Sequence, residues 1–178
     1  MEIIALILAI IGVVVSFIGM VLSLTRPDDP KEGMVLSSTR PDDPKEKILL
    51  VDDDESNLKG LVEFLEEQFF DVRTASTVEQ AEQLLTEEDF NYATIDLEMK
   101  AQNPMYKEWG GIEVFRFIKA SRHNTQIIIL SSHSLDELRE AKFIQEAQEM
   151  QKVFIPKNAS NYISAVLDKL MSYRQLAA

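Results

Sequence analysis

Apolar and polar positions change rhythm along the chain. From Ile3 to Leu24 the residues are uncharged and almost wholly apolar. As a helix this stretch would be roughly 33 Å long, enough to cross the hydrocarbon core of a bilayer. The pattern then turns polar and repetitive. Gly19–Glu32 is followed at once by Gly33–Glu46, a second copy that differs only in Ser38 for Leu24. A repeat this short does not make a solenoid, and Pro, Asp and Lys cannot bury a core. Residues 25–46 therefore read as a duplicated, extended linker. From Lys47 onward, short apolar runs alternate with helical periodicity.

That last region predicts a regular series of elements. Ile48–Val51 reads as a strand buried on both faces, as in a parallel sheet. Leu58–Phe69 carries Leu58, Leu61, Val62 and Leu65 at helical spacing. Asp71–Ser76 is a short strand. Thr77 and Gln80 form a capping-box signature for a helix running to about Glu88. Tyr92–Leu97 is a strand ending at Asp96, and Gly110-Gly111 opens a helix through about Ser121. Gln126–Leu130 is a buried strand, followed by one long amphipathic helix over about Leu135–Gln151. Lys152–Pro156 is the fifth strand and Ala159–Tyr173 the last helix. Five strands alternating with five helices give an α/β fold with a doubly wound five-stranded parallel sheet. The expected organisation is a transmembrane anchor at 1–24, the linker at 25–46 and one folded domain at 47–178.

Composition narrows the function. The formal net charge is -12, which disfavours nucleic acid, and no cluster of Lys and Arg interleaved with aromatics appears. With no cysteine and two histidines, disulfides are excluded and a structural zinc site is disfavoured. Around the apolar span, Glu2 precedes, while Arg26, Lys31, Arg40, Lys45 and Lys47 follow. The amino terminus is therefore expected outside and the folded domain in the cytoplasm of a single-pass membrane protein. A signal peptide would want a basic start and an Ala-x-Ala-like cleavage site, and neither is present. Small residues at Ala5, Ala9, Gly12, Ser16, Gly19 and Ser23 line one helix face. That stripe suits pairing of the span with itself or with another membrane helix, or is incidental to a plain anchor.

The chemistry begins at Asp52, Asp53 and Asp54, directly after the first strand. Three adjacent carboxylates repel one another; they either bind a hard divalent cation such as Mg²⁺ or cap the next helix. In a parallel sheet the strand C-terminal ends share one edge, so Asp96, Ser131 and Lys157 join Asp52 and Asp53 there. Asp96 is suited to act as a nucleophile. Lys157 and Ser131 supply a positive charge and a hydroxyl donor for a phosphoryl group arriving on it.

At this point the sequence resembles a response-regulator receiver domain, a flavodoxin-like fold of two-component signalling. The resemblance rests on Lys47–Asp54, Thr94–Asp96, Gly111-Ile112, Ile127–Ser131 and Val153–Lys157, in that order and spacing. It implies that Asp96 is the phosphoacceptor in a phosphorelay, fed by a histidine kinase or histidine phosphotransfer protein, rather than the centre of a turnover enzyme. It implies that Asp53 binds Mg²⁺ directly, that Asp52 assists largely through water, and that Asp96 and the Glu98 backbone carbonyl complete the metal site. Ser131 and Lys157 would contact the phosphoryl oxygens, and Phe154 matches the aromatic rotamer switch. Glu98 and His133 occupy positions that tune the lifetime of the aspartyl phosphate. With only a few residues after the last helix, output is expected through protein–protein contact.

The departures from the pattern are specific. The loop from Leu97 to Trp109 is longer than usual, and its Tyr106 and Trp109 either cover the site, meet a partner or pack locally. Asn158 stands where a proline commonly follows the lysine. The helix after Ser131 is long and lacks its usual closing glycine. His123 and the charges scattered along the helices read as solvated faces. Two other functions fit parts of the pattern. One is a receiver fold used as a phosphorylation-independent binding module, suggested by the altered loop. The other is a haloacid-dehalogenase-type phosphohydrolase, with Asp52 as nucleophile and Asp54 beside it. The latter lacks the further acidic motif expected beyond Lys157, since Asp168 lies within the last helix.

Overall fold

A computed structural model describes residues 45–121 and 124–177. The apolar segment 3–24, the linker up to residue 44 and His123 lie outside these described residues. Among the described residues, no helix is long and apolar enough to cross a membrane.

Five strands form one parallel sheet: β1 (Lys47–Val51), β2 (Asp71–Ala75), β3 (Tyr92–Asp96), β4 (Gln126–Ser131) and β5 (Phe154–Pro156). Their order is β2-β1-β3-β4-β5. The chain moves outward from β1 to β2, then crosses back to β3 on the other side. That reversal splays the connections after β1 and β3 and leaves a crevice at their C-terminal ends.

Alternation along the central strands explains the two layers. Ile48 and Leu50 of β1 face one side, with Ile128 and Leu130 of β4. This side is covered by α1 (Glu55–Glu67) through Leu58, Leu61 and Leu65, and by α6 (Tyr162–Ala177) through Val166 and Leu170. Leu49 and Val51 face the other side, with Ala93, Ile95, Ile127 and Ile129. Covering that side are α2 (Val78–Glu87), α3 (Gly110–Ala120), α4 (Leu135–Glu140) and α5 (Ile144–Met150). Strands apolar at every position are therefore those with a helix layer on each face.

Beyond shifts of up to four residues at helix ends, as in the last helix, which starts at Tyr162 rather than Ala159, three details depart from the sequence expectation. The long helix after Ser131 is broken into α4 and α5. Phe143 N–H donates to the Leu138 carbonyl at 3.1 Å and Lys142 N–H to that of Arg139 at 3.0 Å, with Lys142 at φ 75°. This is a Schellman closure with lysine in the left-handed position usually held by glycine, which explains why no sequence signal marked it. β5 begins at Phe154 rather than Lys152, because the chain is still turning out of α5: Val153 N–H donates to the Met150 carbonyl at 2.9 Å. The box at the start of α2 is also only half formed. Thr77 Oγ1 accepts from Gln80 N–H at 3.2 Å, but the Gln80 side chain reaches Ser76 N–H, at 2.9 Å, instead of that of Thr77.

Gly111 sets how closely α3 approaches the end of β3. A Cβ on it would lie 2.0 Å from the Asp96 carbonyl oxygen and 2.7 Å from Leu97 Cα, both backbone atoms with no freedom to yield. Gly60, in α1, has nothing within 4 Å of the same position. Gly111→Ala should therefore lower stability by about 3 kcal/mol through overpacking, whereas Gly60→Ala should raise it by up to about 1 kcal/mol through helix propensity. Urea unfolding of the two variants measures the contrast, and equal midpoints would remove the close-approach argument.

Candidate functional site

Each site residue is set by the end of a strand. Asp52 follows β1 and is buried; its Oδ1 accepts from Asp54 N–H at 2.9 Å. Asp53 is exposed at the mouth. Asp54 turns away and caps α1, accepting from Ser56 N–H at 2.9 Å and from its hydroxyl at 2.6 Å. The three acids thus divide: two face the crevice and one performs the ordinary capping role. Asp54, committed to the helix, is not placed to assist Asp52 as the phosphohydrolase layout requires.

Asp96 is the last residue of β3 and is 5% exposed. Lys157 comes off β5 directly, its N–H donating to the Ser131 carbonyl at 2.9 Å. Its Nζ lies 2.7 Å from Asp52 Oδ2 and 2.8 Å from Asp96 Oδ2. Burial pushes the Asp96 carboxyl above the ordinary carboxylate range, against the pull of Lys157, and the charge of Asp52 adds to the rise. Burial would depress the Lys157 ammonium, but its bonds to Asp52 and Asp96 outweigh that and hold it above its ordinary value.

Oxygens of Asp52, Asp53 and Asp96 all lie within 4.8 Å of one another. Three carboxylates against the single Lys157 ammonium leave an excess of negative charge that a divalent cation neutralises. An all-oxygen donor set of this kind fits Mg²⁺. These residues therefore fit the metal that the sequence suggested.

On the neighbouring strand, Ser131 is fully buried at the end of β4. Its hydroxyl donates to Glu98 Oε1 at 3.0 Å and accepts from His133 N–H at 3.0 Å. Glu98 also accepts from Ser132 N–H at 2.7 Å and His133 N–H at 3.0 Å, and lies 2.9 Å from His133 Nδ1. Burial would raise the Glu98 carboxyl, yet these donors together hold it below the usual range. The hydrogen bond to Glu98 holds the His133 imidazolium above its ordinary value. Phe154 is half-buried in β5, beside Ile129 in register, and packs against the core cluster on that face.

The long loop packs locally. Tyr106 is buried, stacks on Phe143 with centroids 5.8 Å apart, and receives a hydrogen bond from Arg116. Trp109 meets the His133 ring edge-on at 5.4 Å and Phe143 at 6.5 Å. Glu146 corrects the expectation of solvated helix charges, while Arg116 stays exposed. Glu146 is 7% exposed and paired with Arg116, whose Nε lies 2.8 Å from it. Glu146 faces inward because the break after α4 resets the helix phase, which a continuous periodicity conceals.

Comparison with known proteins agrees with this fold. Residues 48–162 match the family model described as "Response regulator receiver domain". The chain belongs to that family. Among solved structures, a CheY-like receiver domain protein from Methanospirillum hungatei is 21% identical, with TM-score 0.57, over 74% of this chain and 98% of that one. The BeF3-activated DrrB receiver domain is 29% identical, TM-score 0.55, over 74% and 99%. TrrA from Thermotoga maritima, solved in complex with Mg(2+)-BeF, is 22% identical, TM-score 0.55, over 72% and 98%.

The division among the three acids yields a test by titration calorimetry with Mg²⁺. Asp53→Asn removes one charged ligand and should weaken binding about ten-fold. Asp54→Ala should cost about 1 kcal/mol of stability through the lost cap while leaving Mg²⁺ affinity within about two-fold. The reverse order of effects would overturn the assignment.

Proposed function

We propose that the chain is a membrane-tethered response-regulator receiver that accepts a phosphoryl group on Asp96 from a histidine kinase or histidine phosphotransfer protein and signals by protein–protein contact. The observation that carries this reading is Asp96 itself: a buried carboxylate 2.8 Å from Lys157 Nζ, clustered with Asp52 and Asp53. As one Asp96 oxygen bonds to phosphorus, the donor's P–N bond breaks and its imidazole nitrogen leaves, protonated from solvent. Lys157 stands beside the accepting carboxylate and meets the growing negative charge. Ser131, at the end of the adjacent strand, offers its hydroxyl to a phosphoryl oxygen, and Phe154 follows that hydroxyl as the switch residue. Mg²⁺, when bound, neutralises charge on the phosphoryl oxygens; Asp52, Asp53, Asp96 and the Glu98 carbonyl are the groups that would hold it.

Support for the metal and the anion comes from two similar structures: DrrB is BeF3-activated, and TrrA was solved with Mg(2+)-BeF. Beryllofluoride imitates a phosphoryl group on a carboxylate. Support for the tether comes from the uncharged apolar run Ile3–Leu24 and the basic residues after it. In this reading the amino terminus is outside, the receiver is cytoplasmic and the small-residue face of the span pairs with a like helix.

Incubating the full chain in detergent with Mg²⁺ and acetyl phosphate should add one phosphoryl group by intact mass, with acetate as the leaving group. Asp96→Asn should take up none. Labelling that persists in Asp96→Asn but is lost in Asp52→Asn would favour the phosphohydrolase layout instead. Protease added to intact cells should spare the receiver, while lysed cells should lose it; digestion in intact cells would reverse the proposed orientation.

A further inference from the structure

The contacts of Glu98 have a consequence for the phosphoryl group, on the reading of Asp96 just proposed. Its Oε1 accepts from the Ser131 hydroxyl at 3.0 Å, Ser132 N–H at 2.7 Å and His133 N–H at 3.0 Å, with His133 Nδ1 at 2.9 Å. Converging backbone N–H groups with a hydroxyl make a concave anion site. The occupant of that site is a carboxylate from the chain itself. Its backbone lies two residues beyond Asp96, and Glu98 N–H donates to Asp96 Oδ1 at 3.2 Å.

Ser131 has one hydroxyl proton. While that proton and the two N–H groups serve Glu98, they are not available to an oxygen of a phosphoryl group on Asp96. The two anions would also repel one another across the crevice. We infer that Glu98 is an internal competitor: its carboxylate fills the phosphoryl-oxygen subsite formed by Ser131, Ser132 and His133, and must leave before the phosphorylated state can form.

The path of that departure is readable. Glu98 and His133 hold one another, and the His133 ring lies edge-on to Trp109, which in turn touches Phe143 at the junction of α4 and α5. Displacing the carboxylate frees His133 and changes the surroundings of Trp109, the single tryptophan of the chain. Anion exchange at Ser131 is thereby connected to the α4–α5 face through side chains in contact.

The test compares the full-length protein with Glu98→Gln and Glu98→Ala, all in detergent with Mg²⁺. The initial rate of labelling by acetyl phosphate is read by intact mass, and beryllofluoride affinity by Trp109 fluorescence. Glu98→Ala should raise both the rate and the affinity about ten-fold, the worth of one set of charge-assisted hydrogen bonds. Glu98→Gln, which keeps the shape and loses the charge, should fall between. Circular dichroism should overlay for the three proteins; a misfolded Ala variant leaves the Gln variant to decide, by a rise over wild type. Equal or slower labelling and equal or weaker beryllofluoride binding in the folded variants would overturn the competitor role while leaving Asp96 as acceptor. Failure of all three proteins to label would instead remove the phosphoacceptor reading, and this inference with it.

Discussion

A single ammonium group holds the functional edge of the sheet together. Lys157 Nζ bridges Asp52 and Asp96, and the two carboxylates are 8% and 6% exposed on their side chains. Two buried like charges at adjacent strand ends would force one another apart or take up a proton. The bridge permits both to sit at the crevice. Its position is fixed independently by the backbone bond from Lys157 N–H to the Ser131 carbonyl. The ends of β1, β3 and β5 are joined through charge, and that of β4 through the main chain. Removing the ammonium would leave uncompensated charges at the point where the strand order reverses.

Much of this could be read from the chain. Ile48–Val51 and Ile127–Leu130 are apolar at every position, which only a sheet covered on both faces rewards. Once the strands are parallel, Asp52, Asp53, Asp96, Ser131 and Lys157 must share an edge, because each ends its strand or follows it within two residues. The fold brings these five residues to one edge. What periodicity could not show was direction at the level of side chains. Asp54 looks identical to its two neighbours in sequence, yet it caps α1. Glu98 was legible as a position near the acceptor, but its carboxylate's turn toward β4 depends on the Ser131–His133 backbone.

The other omissions share one cause. Lys142 adopts the left-handed conformation without being glycine, a strain that Phe143 recoups by stacking on Tyr106 and meeting Trp109. A break fixed by tertiary contacts leaves no local signature. It also leaves Glu146 turned inward to Arg116 of α3, whose guanidinium lies over the Tyr106 ring. The loop after β3 and the broken helix are therefore one packing solution: each supplies aromatic or charged surface that the other needs.

The break at Lys142 has a geometric consequence for anything that binds this side of the molecule. An unbroken helix would present one rigid ridge. Here the face is two short cylinders with different anchors. α4 starts at the Ser134 cap, immediately after His133, and so is tied to the end of β4. α5 is tied through Glu146 to α3, and through the Phe143 stack to the loop beyond Asp96. A partner spanning the joint would read the angle between two tiles, one indexed to the fourth strand and the other to the third. Relative movement of those strand ends would appear on the outer surface as a change of shape without any helix having to unwind.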